Sequence, residues 1–279
     1  MSKLESPGDG HRPVALITGA GGGIGRALCA HLGDEYELVA CDRSQENLHA
    51  LASELRTSRI AHHLRAFDLS DSEECRATID WIARDLGRLD VLVNNAGAWH
   101  HERFLDSTDE HWREVLEVNV VAAARLARLA STLLQRSSRA RIVNVSSKNA
   151  FLGEYGWSSY DVSKAALTAL TRSLAIELAE IGILVNAIAP GVVETESNQD
   201  LLDDPAASSA IRRRTPLGRF CQPEEVAQAV RYLCSPELGF ATGSTLLLDG
   251  GFLAGEQPYG SVGSEGNDSR LSGGMEVTQ

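Results

Sequence analysis

The feature that most constrains this chain is a rhythm of short, unbroken apolar runs separated by longer stretches of helical period. The runs lie at 13–18 (PVALIT), 36–41 (YELVAC), 90–96 (DVLVNNA), 141–146 (RIVNVS) and 184–189 (LVNAIA). They are rich in β-branched residues and do not alternate with polar ones, which is how strands covered on both faces read. Helical candidates fall between them, near 23–33, 44–56, 71–86, 107–135, 158–181 and 222–235. Strand-helix alternation of this kind predicts an α/β fold: a single doubly wound parallel sheet with helices on both faces. One domain over 13–253 accounts for the pattern. A segment at 1–12 is expected to be flexible, and a tail at 254–279, rich in Gly, Ser and acids, is expected to be disordered in isolation. The stretch 193–215 is too long and polar for a minimal crossover, and we expect a substrate lid there.

Charge narrows the partners. The chain has 26 Lys and Arg against 38 Asp and Glu, a net charge of −12. That sign disfavours nucleic acid and anionic membrane surfaces. No apolar run approaches the roughly 20 residues of a membrane span. The first residues carry no apolar core after their charges, so no secretory signal is read and a cytoplasmic location is expected. Five cysteines, at 29, 41, 75, 221 and 234, form no C-x-x-C. That argues against a disulfide framework or zinc site and fits a reducing compartment. The adjacent pairs His62-His63 and His100-His101 lack the spacing of a metal-binding helix face, and no metal is expected.

The first apolar run opens into Thr18-Gly19-Ala20-Gly21-Gly22-Gly23-Ile24-Gly25 and then a helical stretch. Glycines there allow a tight turn and let backbone N–H groups approach a pyrophosphate, with the helix N-terminus adding partial positive charge. The spacing is G-x-x-x-G-x-G rather than the common dinucleotide fingerprint. Asp42 ends the second run, where a carboxylate can accept both hydroxyls of an adenosine ribose. It could instead cap the helix at 44–56, although Ser44 is also placed to do so.

Tyr160 and Lys164 are four positions apart and share a helix face. A free tyrosine, with a pKa near 10, is a poor base at neutral pH; a nearby ammonium favours its phenolate. Ser147 falls at the C-terminal end of the fourth run, and Gly19, Asn95 and Pro190 fall at the same end of three others. Ligands of open parallel sheets bind there. Asn119 interrupts an apolar helical stretch and needs partners.

Together these residues resemble the short-chain dehydrogenase/reductase family, over roughly 13–252. The match comprises Thr18-Gly19-x-x-x-Gly23-Ile24-Gly25, Asn94-Asn95-Ala96-Gly97, Asn119, Ser147, Tyr160-x-x-x-Lys164 and Pro190-Gly191-x-Val193-x-Thr195. The resemblance implies a Rossmann-like oxidoreductase. Tyr160 would be its acid or base, Lys164 would lower the tyrosine pKa and bind the nicotinamide ribose, Ser147 would orient the substrate oxygen, and Asn119 would hold a relay water. It also implies that Gly19, Gly23, Ile24, Gly25, Asp42, Arg43, Asp68, Leu69, Asn95, Ala96, Gly97, Pro190, Val193 and Thr195 contact the cofactor.

A carboxylate at Asp42 repels the 2′-phosphate of NADP, so NAD is expected, with Arg43 as a complication. The substrate is expected to be a small polar alcohol or ketone such as a sugar or polyol. The resemblance implies that side chains after the fourth and fifth strands face the substrate, and here those are Trp99, His100, His101, Lys148, Asn149, Phe151, Glu154, Tyr155 and Trp157, whose mix of aromatic and hydrogen-bonding groups suggests this. Surplus apolar residues on the helices at 107–135 and 158–181 predict a homotetramer. Two alternatives remain open: an NADPH-linked 3-oxoacyl thioester reductase, which Asp42 disfavours, and a non-catalytic dinucleotide sensor, which the retained Tyr160 and Lys164 disfavour.

Overall fold

Each of the five apolar runs becomes a strand in the computed structural model, which describes residues 12–255. The expectations for 1–11 and 256–279 lie outside the described residues. The strands are β1 (Val14–Thr18), β2 (Glu37–Asp42), β4 (Val91–Asn94), β5 (Arg141–Val145) and β6 (Leu184–Pro190). Two strands not anticipated from the sequence, β3 (His62–Ala66) and β7 (Thr245–Leu248), complete a parallel sheet of order β3-β2-β1-β4-β5-β6-β7.

The unbroken apolar character of the central strands follows from two cores. Ala15 and Ile17 of β1 face one and Val14 and Leu16 the other, because successive side chains point to opposite sides. The first core is closed by α1 (Gly23–Leu32), α2 (Gln45–Thr57) and α9 (Pro223–Cys234). The second is closed by α3 (Ser72–Trp81), α5 (Ala122–Leu134) and α6 (Ser158–Leu178). Chain order reverses between β1 and β4, and a crevice opens at the carboxyl ends of strands at such a switch point.

Two departures from the expected helices matter. The stretch at 107–135 is α4 (Asp109–Leu116), a π-helical turn over Glu117–Val121 that carries Asn119, and then α5. The insertion at 193–215 is itself helical, as α7 (Gln199–Asp203) and α8 (Pro205–Arg214). Asp204 caps α8 by accepting from the backbone N of Ala206 at 2.8 Å and Ala207 at 3.1 Å. Its three arginines do not pair with the insertion's acids: Arg212 lies over Phe220, Arg213 bonds Ser209, and Arg214 lies over Phe252.

Candidate active site

The crevice is a cavity of about 1520 Å³ at the carboxyl ends of the strands. Its cradle end is made of backbone. Gly19 has φ +63°, which a side chain would strain, and a Cβ there would lie 2.9 Å from Ala96 Cα. A Cβ on Gly25 would come within 2.0 Å of the Gly19 carbonyl oxygen. Neighbouring strands are stitched across the switch point. Thr18 Oγ1 accepts from the backbone N of Asn95 and Ala96, each at 3.1 Å, and Asn95 Nδ2 donates to the carbonyls of Thr18 (2.9 Å) and Gly19 (3.1 Å). The N-cap of α1 is Gly22, no side chain caps it, and its first turn holds no acid. The first-turn N–H groups are therefore left facing the cavity, and this cradle fits a pyrophosphate.

Asp42 stands at the wall beside this cradle. Its carboxylate accepts from Gly21 N and Ser44 N, each at 2.9 Å, while Ser44 Oγ caps α2 through Asn47 N at 3.1 Å. The serine thus does the capping and leaves the aspartate to the cavity. Arg43 is exposed on the same wall. Asp68 accepts from Ser70 N and Oγ, each at 2.8 Å, and those bonds hold its pKa below the usual carboxylate range. Ile24, Leu69, Ala96, Gly97, Pro190, Val193 and Thr195 also line the cavity, so all cofactor-matched positions converge there. Thr195 covers the start of α1, its Cγ2 2.8 Å from where a Cβ on Gly23 would sit.

Tyr160, Lys164 and Ser147 line the other end. Burial pushes the Tyr160 pKa up to about 12, against a lowering hydrogen bond from Ser147, and the charges of Asp161 and Glu154 push the same way as burial. Burial also pushes Lys164 down to about 8. Its Nζ donates to the Val145 carbonyl at 2.9 Å and sits 5.5 Å from the Tyr160 ring centroid. Trp157 packs edge-on against Tyr160, with ring centroids 5.5 Å apart, and His101 packs against Trp157 at 5.2 Å.

Asn119 lies behind the wall rather than on it. Its amide clamps Ala98, accepting from the backbone N at 2.7 Å and donating to the carbonyl at 2.9 Å, and donates to Ser163 Oγ at 2.8 Å. The π-helical turn aims it there, as such turns often do near functional sites. A Cβ on Gly97 would lie 3.5 Å from both Asn119 Oδ1 and Lys164 Nζ, so the two flank one small space.

Of the residues expected to face substrate, Trp99, His100, His101, Lys148, Asn149, Glu154 and Trp157 line the cavity. Phe151 (48% exposed) and Tyr155 (81%) do not, because their loop turns them to the surface. Asp161, which sequence reading passed over, ties that loop down by accepting from Asn149 Nδ2 at 2.7 Å and Glu154 N at 2.8 Å. His100, while lining the cavity, also pairs with Glu114 at 2.9 Å and stacks on His111 at 4.0 Å. Among the described residues, no cluster of three or more His, Cys, Asp or Glu could hold a metal ion. No helix there is long and apolar enough to cross a membrane.

Residues 19–253 match a family model described as enoyl-(acyl carrier protein) reductase. The chain is 35% identical over 242 residues to a cyclopentanol dehydrogenase of Comamonas testosteroni, covering 86% of this chain and 97% of that protein. It is also 35% identical over 241 residues to a 3-oxoacyl-(acyl-carrier-protein) reductase of Thermotoga maritima, covering 86% and 97%. A solved gluconate 5-dehydrogenase from Burkholderia cenocepacia, in complex with NADP and tartrate, superposes with a TM-score of 0.83 at 32% identity, over 88% of this chain and 96% of that one.

Proposed function

The chain belongs to the short-chain dehydrogenase/reductase family, oxidoreductases of alcohol and ketone groups, and from that premise we propose an NAD(H)-dependent enzyme that interconverts a secondary alcohol and its ketone. The observation that carries this reading is the convergence of Ser147, Tyr160 and Lys164 on the cavity that also holds the uncapped start of α1. Gly19 to Gly25 would hold the pyrophosphate, Asp42 the adenosine ribose and Lys164 the nicotinamide ribose. The bound dinucleotide supplies the hydride acceptor or donor.

The rest falls to side chains. The hydroxyls of Ser147 and Tyr160 fix the reacting oxygen, and Tyr160 takes its proton in oxidation or returns it in reduction. With burial holding Tyr160 near 12, ionisation needs a positive charge nearby, and the Lys164 ammonium supplies one. The small space between Lys164 and Asn119 suits a water that passes the proton outward. Val193 and Thr195 lead from the cradle into a lid formed by α7 and α8.

Asp42 supports NAD over NADP, because a 2′-phosphate would meet a like charge at close range. The mixed aromatic and hydrogen-bonding wall supports a small polar substrate, a sugar, polyol or functionalised alcohol. A second reading, an NADPH-linked 3-oxoacyl thioester reductase, draws support from the Thermotoga relative. A non-catalytic sensor draws none, since both Tyr160 and Lys164 reach the cavity.

A substrate screen following reduced nicotinamide, with NAD and NADP in parallel, separates them. We expect NAD to be preferred by at least about tenfold in kcat/KM on a secondary alcohol. Preference for NADPH with turnover of a 3-oxoacyl thioester would establish the second reading instead, and dinucleotide binding with no turnover would establish a sensor.

Apolar residues left uncovered support a homotetramer. Phe104, Leu105, Val162 and Ile176 are exposed around α4 to α6, while Leu246 and Leu247 are exposed on the edge strand β7. Two such faces on one chain are what two-fold contacts in a tetramer would cover. Light scattering at micromolar concentration should give four times the monomer mass. The five free cysteines fit a reducing cytoplasm.

A further inference from the structure

The loop that follows Ser147 folds back so that the Glu154 carboxylate lines the same cavity as Ser147 and Tyr160. Its position is fixed from three sides. Oε2 accepts from Lys148 Nζ at 2.8 Å and from Asn149 Nδ2 at 3.0 Å, and the Glu154 backbone N donates to Asp161 Oδ2 at 2.8 Å. Lys148 and Asn149 are only 4% and 6% exposed.

The Asn149 amide has one allowed orientation. Its nitrogen donates to two carboxylates, Glu154 and Asp161, and its oxygen accepts from the Lys148 ammonium at 3.0 Å and from Ser147 Oγ at 3.3 Å. One rigid network thus joins Glu154 to the residue beside Tyr160 and to Ser147 itself.

Burial would raise the Glu154 pKa, but the bond and charge of Lys148 and the bond from Asn149 hold it below the usual range. The group is therefore an acceptor only. The bonds it accepts fall on Oε2, and its side chain keeps 36% exposure. That leaves Oε1 for a hydroxyl donor from the substrate. A substrate carboxylate would be repelled by the Glu154 charge at close range, and the cation that also acts on Glu154 from outside this network, Arg214, lies over Phe252. Lys148 is committed to Glu154 and Asn149, Lys164 donates to Val145, and Arg113 pairs with Asp109 at 2.8 Å.

We propose that Glu154 binds a second hydroxyl of the substrate, so that the enzyme takes neutral polyhydroxy compounds and discriminates against both aldonates and monohydroxy alcohols. This rests on the reading of the chain as an alcohol oxidoreductase. A site built to receive a hydroxyl proton rejects analogues that lack it, and one built on a carboxylate repels another carboxylate.

The test is steady-state oxidation with NAD of pentitols, hexitols and 1,2-cyclohexanediol, alongside gluconate and cyclopentanol, for the wild type and Glu154→Gln. For the wild type, kcat/KM of the best polyol should exceed those of gluconate and cyclopentanol by about tenfold or more. Glu154→Gln should reduce the polyol-to-cyclopentanol ratio about tenfold, chiefly through KM, and raise gluconate relative to polyol. Gluconate equal to or better than every polyol in the wild type would overturn the proposal, as would an unchanged ratio in a folded variant that binds NAD. If Glu154→Gln does not fold, the wild-type ranking decides alone. Turnover of cyclopentanol without polyol preference sinks this proposal but leaves the oxidoreductase reading standing; no turnover of any substrate with either dinucleotide sinks both.

Discussion

The two ends of the cavity are built from different materials. The cradle at 19–25 is backbone: a left-handed glycine, bare N–H groups at the start of α1 and a seam of bonds from Thr18 and Asn95. The substrate end is side chain: Ser147, Lys148, Asn149, Glu154 and Asp161 in one connected network beside Tyr160. A backbone cradle suits a pyrophosphate, which every dinucleotide carries, and at Gly19 and Gly25 it leaves no room for an added Cβ. A side-chain network can be rewritten one residue at a time, so the substrate selectivity proposed above would reside there. The comparison predicts that substitutions at the two ends will fail in different ways.

The sharpest contrast is expected from Tyr160→Phe. Only a hydroxyl is removed, so the variant should fold and bind NAD while kcat falls about 10²- to 10⁴-fold, the usual worth of a general acid or base. Stopped-flow or steady-state rates beside an NAD titration check this. Retention of most of kcat would remove Tyr160 from the proton transfer. The mirror experiment is Gly25→Ala. Its methyl would sit 2.0 Å from the Gly19 carbonyl oxygen, and backbone cannot yield cheaply. The cradle must spread, and the NAD Kd should rise about 10- to 100-fold, or roughly 1.4–2.8 kcal/mol, with a lowered melting temperature. Wild-type affinity in this variant would mean that the close packing of the turn does not matter for binding.

A smaller effect is expected where the cradle turns from backbone to side chain. Asp42 is the acidic side chain on the cradle's wall, and if it sets the proposed NAD preference, Asp42→Ala should narrow the NAD:NADP ratio in kcat/KM by about tenfold, near 1.4 kcal/mol. If the ratio holds, discrimination lies elsewhere, with Arg43 next to be tested.

The same contrast explains what could be read from the sequence. The cradle was legible because glycines at fixed offsets have few other uses, and Asp42 because it closes an apolar run. The central strands were legible because burial on both faces leaves an unbroken apolar signature. β3 was missed for the converse reason. As an edge strand its HHLRA side chains are only half-buried, and His63 is satisfied by Glu37 at 2.7 Å instead of by a core. β7 was missed because four residues at the other edge, with Leu246 and Leu247 exposed, are too short to stand out. At the substrate end, Asn149 and Glu154 were suspected from their place after a strand. Asp161, which holds them both, carries no local signal because its partners lie 12 and 7 positions away across a loop. Asn119 looked like a mid-helix amide, and only the π-helical turn shows why it reaches Ala98.

The smallest expected effect concerns the segment that spans both ends. Val193 and Thr195 belong to the cradle wall, while Asp200, Leu201, Asp204, Ala207 and Ile211 line the cavity from α7 and α8. The segment's root is pinned, since Val193 bridges to Cys221 and Glu194 N donates to the Cys221 carbonyl at 2.9 Å. Its two helices are lightly anchored: α7 has no buried residue and α8 only Ser208. Elements with so little buried surface open at low cost, so their amides should exchange quickly in the free protein. Ligands at the two ends should then protect different stretches. NAD alone should slow exchange at 19–25 and at 193–198, whose residues touch the cradle. Slowing by several-fold at 199–214 should need a substrate or inhibitor as well if, as proposed, α7 and α8 close over the substrate end and exclude water there. Hydrogen exchange read by mass spectrometry in the three states distinguishes these outcomes. Full protection of 199–214 by NAD alone would join the lid to the cradle and dissolve the division between the two ends. No protection in any state, while 19–25 responds, would reduce α7 and α8 to a linker.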